Sequence, residues 1–595
     1  MQIKKVYDVC IVGSGWSGLL SCKYMKQNNL SVIVLEARDN IGGVWKFSEN
    51  QNITTVIRNT FTTSSKCLTE IADFPMPKSY SSFPHHSLIY KYLINYTKKF
   101  KLYDNIVFEF LVNKITKKKN VWNIKNKEGK TYKSHKLILC TGVHSKKNIP
   151  NRNFLKKFSG NIIHSQQYKK LTKYFYDKNI LIFGGGETAS DIANEISVYT
   201  KKTYWAIPNG QWFLPKINTI SPKGIENAEP ADHHTSELNH VCHSVGKTGG
   251  VYFYEDAVEF MWGKCGHGIK EWITPAPYQR QFLNKSSEVL HRISFGQIIP
   301  KKDIKYCKGN NITFDDKTKE EFDIIILCTG YTVTFPFLEK KYQSKLVDNY
   351  KFLISNKDPT LAYVGYARPV LGSIPAIAEI QCMYLGQLFS NKIILEKNRT
   401  SIIKKDKLFW RNYFKNTSKR ISTLVNMYLY SKDLADKIGV NPNYSKLFFE
   451  SPNKWWKAIT CPYNSSRYLL NNKKYHNMIF ENIKEYEPKY YNMIFILNNF
   501  LYFILFLIKP LYDFIRFFVK GDDNSVIQID KKKQKIQKKM ILKKISFLFI
   551  FLALFIYLPI FDKLYNKIPF IKNINKNKII YMIIIICIFI LLKID

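Results

Sequence analysis

Two glycine clusters, 171 residues apart counted from Gly13 to Gly184, carry the most specific chemistry in the chain. The first, Gly13-Ser14-Gly15-Trp16-Ser17-Gly18, directly follows the apolar run Val9-Cys10-Ile11-Val12. The second, Gly184-Gly185-Gly186-Glu187-Thr188-Ala189, directly follows Ile180-Leu181-Ile182-Phe183. Each reads as a strand, a tight turn and a helix start. The first glycine of such a cluster permits the turn, and the second lets the backbone approach a pyrophosphate. The third lets the helix lie close to the strand, so that free N–H groups and the helix dipole face the phosphates. An acidic residue about 20 positions later is suited to ribose hydroxyls. Glu36 fills that role after Ser31-Val32-Ile33-Val34-Leu35, as an adenosine of the FAD type requires. The second cluster ends in Ala189 and has no such acid. Two sites of this kind in one chain imply two dinucleotides held against each other, and hence electron or hydride transfer.

The elements needed to hold these loops follow from the strand–helix alternation. It predicts an α/β fold with parallel sheets: two Rossmann-like dinucleotide-binding domains, the second inserted into the first. Residues 1–165 and 331–490 are read as the first domain, 166–330 as the second, and 491–595 as a separate tail. Two matching segments, Leu137-Ile138-Leu139-Cys140-Thr141-Gly142 and Ile324-Ile325-Ile326-Leu327-Cys328-Thr329-Gly330-Tyr331, each end a buried strand on a glycine and are expected to link the domains. Residues 215–280 fit neither half and are read as an insertion over a substrate cleft. They hold His233, His234, His240, Cys242, His243, Cys265 and His267, but at no spacing that makes a zinc site, so no metal is expected.

Composition narrows the partners. The net charge of +44 is spread along the chain rather than clustered, with 17 Lys/Arg against 6 Asp/Glu from residue 491 onward, so no nucleic acid is expected. The 11 cysteines include no CxxC pair, which suits a reducing compartment and argues against a disulfide reductase. The start, MQIKK, leads straight into a strand without a signal peptide.

Between the clusters stands Phe158-Ser159-Gly160-Asn161-Ile162-Ile163-His164-Ser165-Gln166-Gln167-Tyr168-Lys169. It resembles the identifying pattern of the flavin-containing monooxygenases: F-x-G-x-x-x-H, three residues, then an aromatic. That aromatic is Trp in the Baeyer–Villiger branch, and Tyr168 resembles the N- and S-oxygenating branch instead. Gly42-Gly43-Val44-Trp45, Ser64-Ser65-Lys66 with Asp73-Phe74-Pro75, Cys328 to Tyr331 and Gly365 to Gln381 resemble further segments of the family, over about residues 5–470. The resemblance implies FAD and NADPH as cofactors and O2 as co-substrate. It implies a C4a-hydroperoxyflavin that transfers its distal oxygen to a small molecule with a soft nitrogen or sulfur. It places Gly13, Gly15, Gly18, Glu36, Arg38, Gly43, Trp45, Ser64, Ser65, Gly142, Gly372 and Ile374 in the cofactor sites, with Gly184, Gly186, Thr188, Ala189, Ser190, Thr329, Gly330 and Tyr331.

Two positions depart from the family. An Asn usually precedes the Ser-Ser-Lys segment beside the flavin; here Thr63 stands there as the catalytic-position residue, with one hydroxyl in place of an amide. Asn59 is nearby but four residues away. Pro208 stands where an Arg for the 2′-phosphate is expected, leaving Lys201, Lys202 or Lys216 to supply charge. Three alternatives follow: ketone oxygenation of the Baeyer–Villiger kind, an NADPH oxidase, and a non-catalytic flavoprotein.

The tail holds two uncharged runs, 545–561 and 579–592. As helices they would cover about 25 Å and 21 Å, against about 30 Å of bilayer hydrocarbon. The intervening run Lys531 to Lys544 has eight lysines and favours a cytosolic membrane surface. The expectation is a C-terminal anchor in a lipid bilayer with a cytosol-facing enzyme, on the endoplasmic reticulum as the family resemblance suggests.

Overall fold

A computed structural model describes residues 5–221, 224–237, 264–276, 281–414 and 421–486. All lie in one compact unit spanning 1–237 and 245–489. The tail with its two apolar runs, and His240, Cys242 and His243, lie outside the described residues. Among the described residues, no helix is long and apolar enough to cross a membrane.

Two sheets organise the unit. The first has the order β3-β2-β1-β6-β5-β4, with β1 Val6–Val12, β2 Val32–Leu35, β3 Ile106–Val107, β4 Val112–Lys118, β5 Val121–Asn126 and β6 Thr131–Leu139. Val9 to Val12 and all of β2 are buried, as expected for strands covered on both faces of a parallel sheet. β1 pairs in parallel with β2 on one side and β6 on the other, so that Val12 stands opposite both Leu35 and Leu139. β4 and β5 extend the edge as an antiparallel meander. The strand Leu361–Tyr363 returns from far along the chain to pair in parallel with the end of β6. Helix α1, Trp16–Gln27, covers one face and packs against the long helix Ile374–Phe389.

The second sheet is wholly parallel: Ile298–Lys301, Lys202–Ala206, Asn179–Phe183, Ile324–Leu327 and Asn161–His164, in that spatial order. A three-stranded antiparallel sheet, residues 304–321, packs beside it around Ile304, Cys307, Ile312 and Phe314. The insertion supplies the antiparallel pair Ile217–Ser221 and Gly224–Pro230, followed by the turn Ala231–His234. The fold is therefore of the Rossmann type, with the strands of the second sheet, from Asn161–His164 to Ile324–Leu327, lying in sequence between β6 and the returning strand Leu361–Tyr363.

Candidate functional site

The two glycine loops are built alike. Val12 ends β1, and Gly13 turns at φ +100° directly over the carbonyl of Cys140; an added Cβ there would lie 2.6 Å from that oxygen. Phe183 ends its strand, and Gly184 turns at φ +118° over the carbonyl of Cys328, with 2.4 Å left for a Cβ. In each domain the Cys-Thr-Gly segment thus passes beneath the first glycine, tied by Cys140 N to Val12 O (2.9 Å) and Cys328 N to Phe183 O (2.8 Å). The expected link segments form one wall of each loop, and Gly142 and Gly330 follow at φ +78° and +74°.

The first loop is the tighter. A Cβ on Gly18 would lie 1.9 Å from Gly13 O, so α1 starts hard against the turn. Gly15 faces Gly43 backbone to backbone, with a Cβ on Gly43 meeting Gly15 Cα at 3.1 Å. Gly42 N donates to Ser14 O (3.0 Å). Glu36, 6 % exposed, accepts at Oε2 from both Ser14 N (2.7 Å) and Ser14 Oγ (2.8 Å), and at Oε1 from Arg38 N. Arg38 donates to the carbonyls of Gly43 and Lys46 and so fixes the Gly42–Trp45 turn. The buried indole N–H of Trp16 has no hydrogen-bond partner among the described residues. A cradle closed to side chains at Gly13 and Gly18, with an orphan donor beside it, fits a pyrophosphate-bearing ligand such as FAD.

Ser64, in the Thr63–Ser65 segment, is tied to the start of the Ile374–Phe389 helix. Ser64 Oγ donates to Gly372 O (2.6 Å), and Gly372 has φ +111° with Met427 blocking any Cβ. Ser373 caps the helix by accepting from Ala376 N, and Ile374 begins it ahead of Pro375. Thr63 is half-buried. Asn59 does not take its place: it is exposed and its amide donates to Glu195.

At the second loop, Gly186 has open space where a Cβ would stand. The helix Glu187–Ile196 starts there with Thr188, Ala189 and Ser190 in its first turns. Ala189 is fully buried and Ser190 Oγ accepts from Asn284 Nδ2 (2.6 Å), so these two hold the helix rather than face outward. Lys202 pairs with Asn179 at the far end of the strands whose other ends, Ala206 and Phe183, lead to the loop. Lys201 and Lys202 therefore stand about 13 Å from the glycine turn. Of the three candidate lysines only Lys216 is near the start of the helix: it lies 3.7 Å from Glu288, and its charge opposes in part the burial that raises the carboxyls of Glu187 and Asp191. Burial nevertheless raises Asp191 to about 7.

The His164 segment proves to be a clasp. Its Nδ1 accepts from Gln166 N (3.1 Å), which leaves Nε2–H to donate to Gly330 O (3.1 Å), and its ring meets Tyr331 edge-on. Gln166 and Lys169 reach across to the carbonyls and hydroxyls of residues 52–55 in the first domain. Tyr168 donates to Glu195 and packs on Phe175. Burial holds the His164 imidazole down at about 4. In the unfolded chain it titrates near 6.5, so the unfolded state binds the extra proton as pH falls from about 6.5 to about 4. His164 thus contributes stability that is complete above this window and lost on descending through it. His164→Gln is expected to flatten the fall of melting temperature across that window. A slope equal to that of the parent would show that the imidazole does not titrate there.

Sequence reading missed a second cluster. Lys285, Glu187 and Asp232 meet under the Ser64 loop, and Arg467 pairs with Glu237 close by in the chain. Each draws on segments remote from one another in the sequence, so no local pattern marks them. His267 spends both ring nitrogens on the backbone of Gln211 and Ile269, and Cys265 Sγ accepts from Thr274 N. No group of metal-ligating side chains occurs among the described residues.

The chain is similar to known proteins along most of its length. The profile of the flavin-binding monooxygenase-like family matches residues 4–477. Flavin-containing monooxygenase 2 of Homo sapiens is 29% identical over 489 residues, which cover 78% of this chain and 88% of that protein. Dimethylaniline monooxygenase (N-oxide-forming) 2 of Pan troglodytes gives the same figures. The solved structure of S-allyl-L-cysteine S-oxygenase from Allium sativum shares the fold at TM-score 0.55 and 16% identity, over 82% of this chain and 99% of that one. The closed form of cyclohexanone monooxygenase does so at TM-score 0.56 and 14% identity, over 73% of this chain and 98% of that one. The protein therefore belongs to the flavin-binding monooxygenase-like family, as a flavin-dependent NADPH monooxygenase with FAD and NADPH as its cofactors.

Proposed function

We propose that the protein oxygenates a soft nucleophilic nitrogen or sulfur of a small molecule, using O2 and NADPH. One observation carries this reading: the family profile runs unbroken over residues 4–477, so both glycine loops and the junction between them lie inside it. Similarity to N-oxide-forming dimethylaniline monooxygenases over 78% of the chain favours a nitrogen-type soft nucleophile over ketone substrates.

When bound, the flavin supplies the oxygen chemistry; the protein supplies position, electrostatics and dryness. We assign FAD to the Gly13–Gly18 loop, with Glu36 ordering its turn and Arg38 fixing the Gly43–Trp45 segment. Ser64, Ser65, Gly142, Gly372 and Ile374 complete that side. NADPH is assigned to the Gly184–Gly186 turn, with Thr188 on its helix and Thr329, Gly330 and Tyr331 at its wall, while Ala189 and Ser190 hold the helix in place. The turn Ala231–His234 reaches the Ser65 amide through Asp232 and helps exclude water from the junction. No side chain needs to act as a general base, because a soft nucleophile attacks without losing a proton first.

The test is turnover of a thioether or tertiary amine against a cyclic ketone, with product compared with NADPH consumed. Oxygenation of the thioether or amine is expected; activity confined to the ketone would overturn the reading. Thr63 supports a second reading, an NADPH oxidase, because one hydroxyl replaces an amide. Thr63→Asn is expected to lower hydrogen peroxide released per NADPH by several fold, and unchanged release would remove Thr63 from the mechanism. We further propose that residues 491–595 anchor the enzyme in the endoplasmic reticulum bilayer, the lysine run facing the cytosol. Release from membranes by carbonate washing would refute this.

A further inference from the structure

Residues 284–286 grip the second glycine loop. Asn284 Nδ2 donates to Ser190 Oγ (2.6 Å), Lys285 N donates to Glu187 Oε1 (2.9 Å), and Ser286 Oγ lies 3.4 Å from Glu187 Oε2. The ammonium of Lys285 donates to Ser64 Oγ (3.0 Å), 221 residues away on the flavin side. Ser64 Oγ in turn donates a hydrogen bond to Gly372 O (2.6 Å), at the start of the long helix. Asp232 of the insertion accepts Ser65 N–H at 2.7 Å. Lys285, Ser64 and Asp232 are 7, 5 and 3 % exposed.

A lysine so deeply buried is costly unless charge and hydrogen bonds compensate it. Burial pulls the Lys285 ammonium below its usual range, Glu187 and Asp232 draw it back up, and Lys216 opposes them. A methionine of equal length would fill the same space more cheaply. What methionine could not do is donate to Ser64. That bond is the direct side-chain tie between the 284–286 segment, locked on the nicotinamide-side loop, and the Thr63–Ser65 loop, locked on Gly372.

We propose that Lys285 is a positioning residue for the reduction of the flavin by NADPH: it holds the Thr63–Ser65 loop and the Gly372 helix start in register with the second glycine loop. The inference rests on the NADPH-dependent activity and adds a residue to it. Hydride transfer demands near-contact geometry, and a displacement of about 1 Å can cost about 100-fold in rate.

The FAD-loaded full chain tests this by anaerobic flavin bleaching at saturating NADPH, with NADP⁺ affinity from perturbation of the flavin spectrum. Lys285→Met is expected to slow bleaching about 10- to 100-fold, with FAD content and NADP⁺ Kd within about 3-fold of the parent. Lys285→Arg, which keeps a donor, is expected to recover most of the rate. Ser64→Ala should slow bleaching similarly, and the double variant should be no slower than either single, as for two ends of one contact. Hydrogen exchange gives a readout independent of turnover: amides 60–66 should exchange faster in Lys285→Met while those of β1 do not change. Bleaching at the parent rate, or single effects that multiply, would overturn the proposal. If Lys285→Met does not fold, Ser64→Ala decides, and a parent rate there overturns it equally. A parent enzyme that NADPH does not bleach would refute the activity instead, while hydrogen exchange would still decide the role of Lys285.

Discussion

Gly18→Ala is expected to yield protein that carries no flavin. The new methyl would stand 1.9 Å from Gly13 O, well inside contact distance, and the clash is with backbone that cannot swing aside. Relief requires α1 to lift from β1 or the Gly13 turn to open, and either removes the N–H groups from the pyrophosphate. Gly186→Ala is the matched control, because nothing stands within 4 Å of its Cβ position. It should keep the visible flavin absorbance of the parent and lose affinity only for NADPH. Normal flavin content in purified Gly18→Ala would show that the cofactor does not depend on this loop.

The second large effect is on stability. Arg467 is 2% exposed and donates from Nη1 to Glu237 Oε2 (2.9 Å), with its guanidinium 3.6 Å from the ring centre of Tyr463. Glu237, 14% exposed, also accepts from Tyr428 (2.9 Å). The bridge between Ser236 and Pro462 runs alongside, so this pair closes the base of the insertion onto the C-terminal part of the unit. Arg467→Met leaves a buried carboxylate facing only phenols, a loss of about 3–5 kcal/mol. The melting temperature should fall by several degrees, and Glu237→Gln in the same background should restore more than half of the loss. A melting temperature within a degree of the parent would show the pair to be dispensable.

The parts of this molecule that local rules govern were legible in the sequence. A strand, a turn that needs φ above zero and a helix start leave a fixed pattern over six residues, and both loops stand where Gly13 and Gly184 put them. The Cys-Thr-Gly segments were recognisable for the same reason. What escaped was three-dimensional pairing of charge. Lys285 meets Ser64 across 221 residues, and no periodicity encodes that contact. Lys201 and Lys202 looked suitable because they adjoin the right strand, but a parallel strand has two ends and they occupy the wrong one. Asn59 was four residues from the expected place and is held by Glu195. His164, prominent for its motif, is a neutral strut with both nitrogens committed at the end of the second sheet, and it is Gln166 and Lys169 that reach residues 52–55.

The return of Leu361–Tyr363 to β6 also sets an order of events during synthesis. Leu361 pairs with Leu137 and Tyr363 with Leu139, so the chain must grow by 224 residues, from 137 to 361, before that ladder can form. At about 5–20 residues per second, a ribosome needs about 11–45 s for this. Throughout that interval the end of β6 lacks this neighbour, while the strands of the second sheet, which end at Leu327, are all made before residue 361. The nascent chain can therefore complete its second sheet before it closes its first.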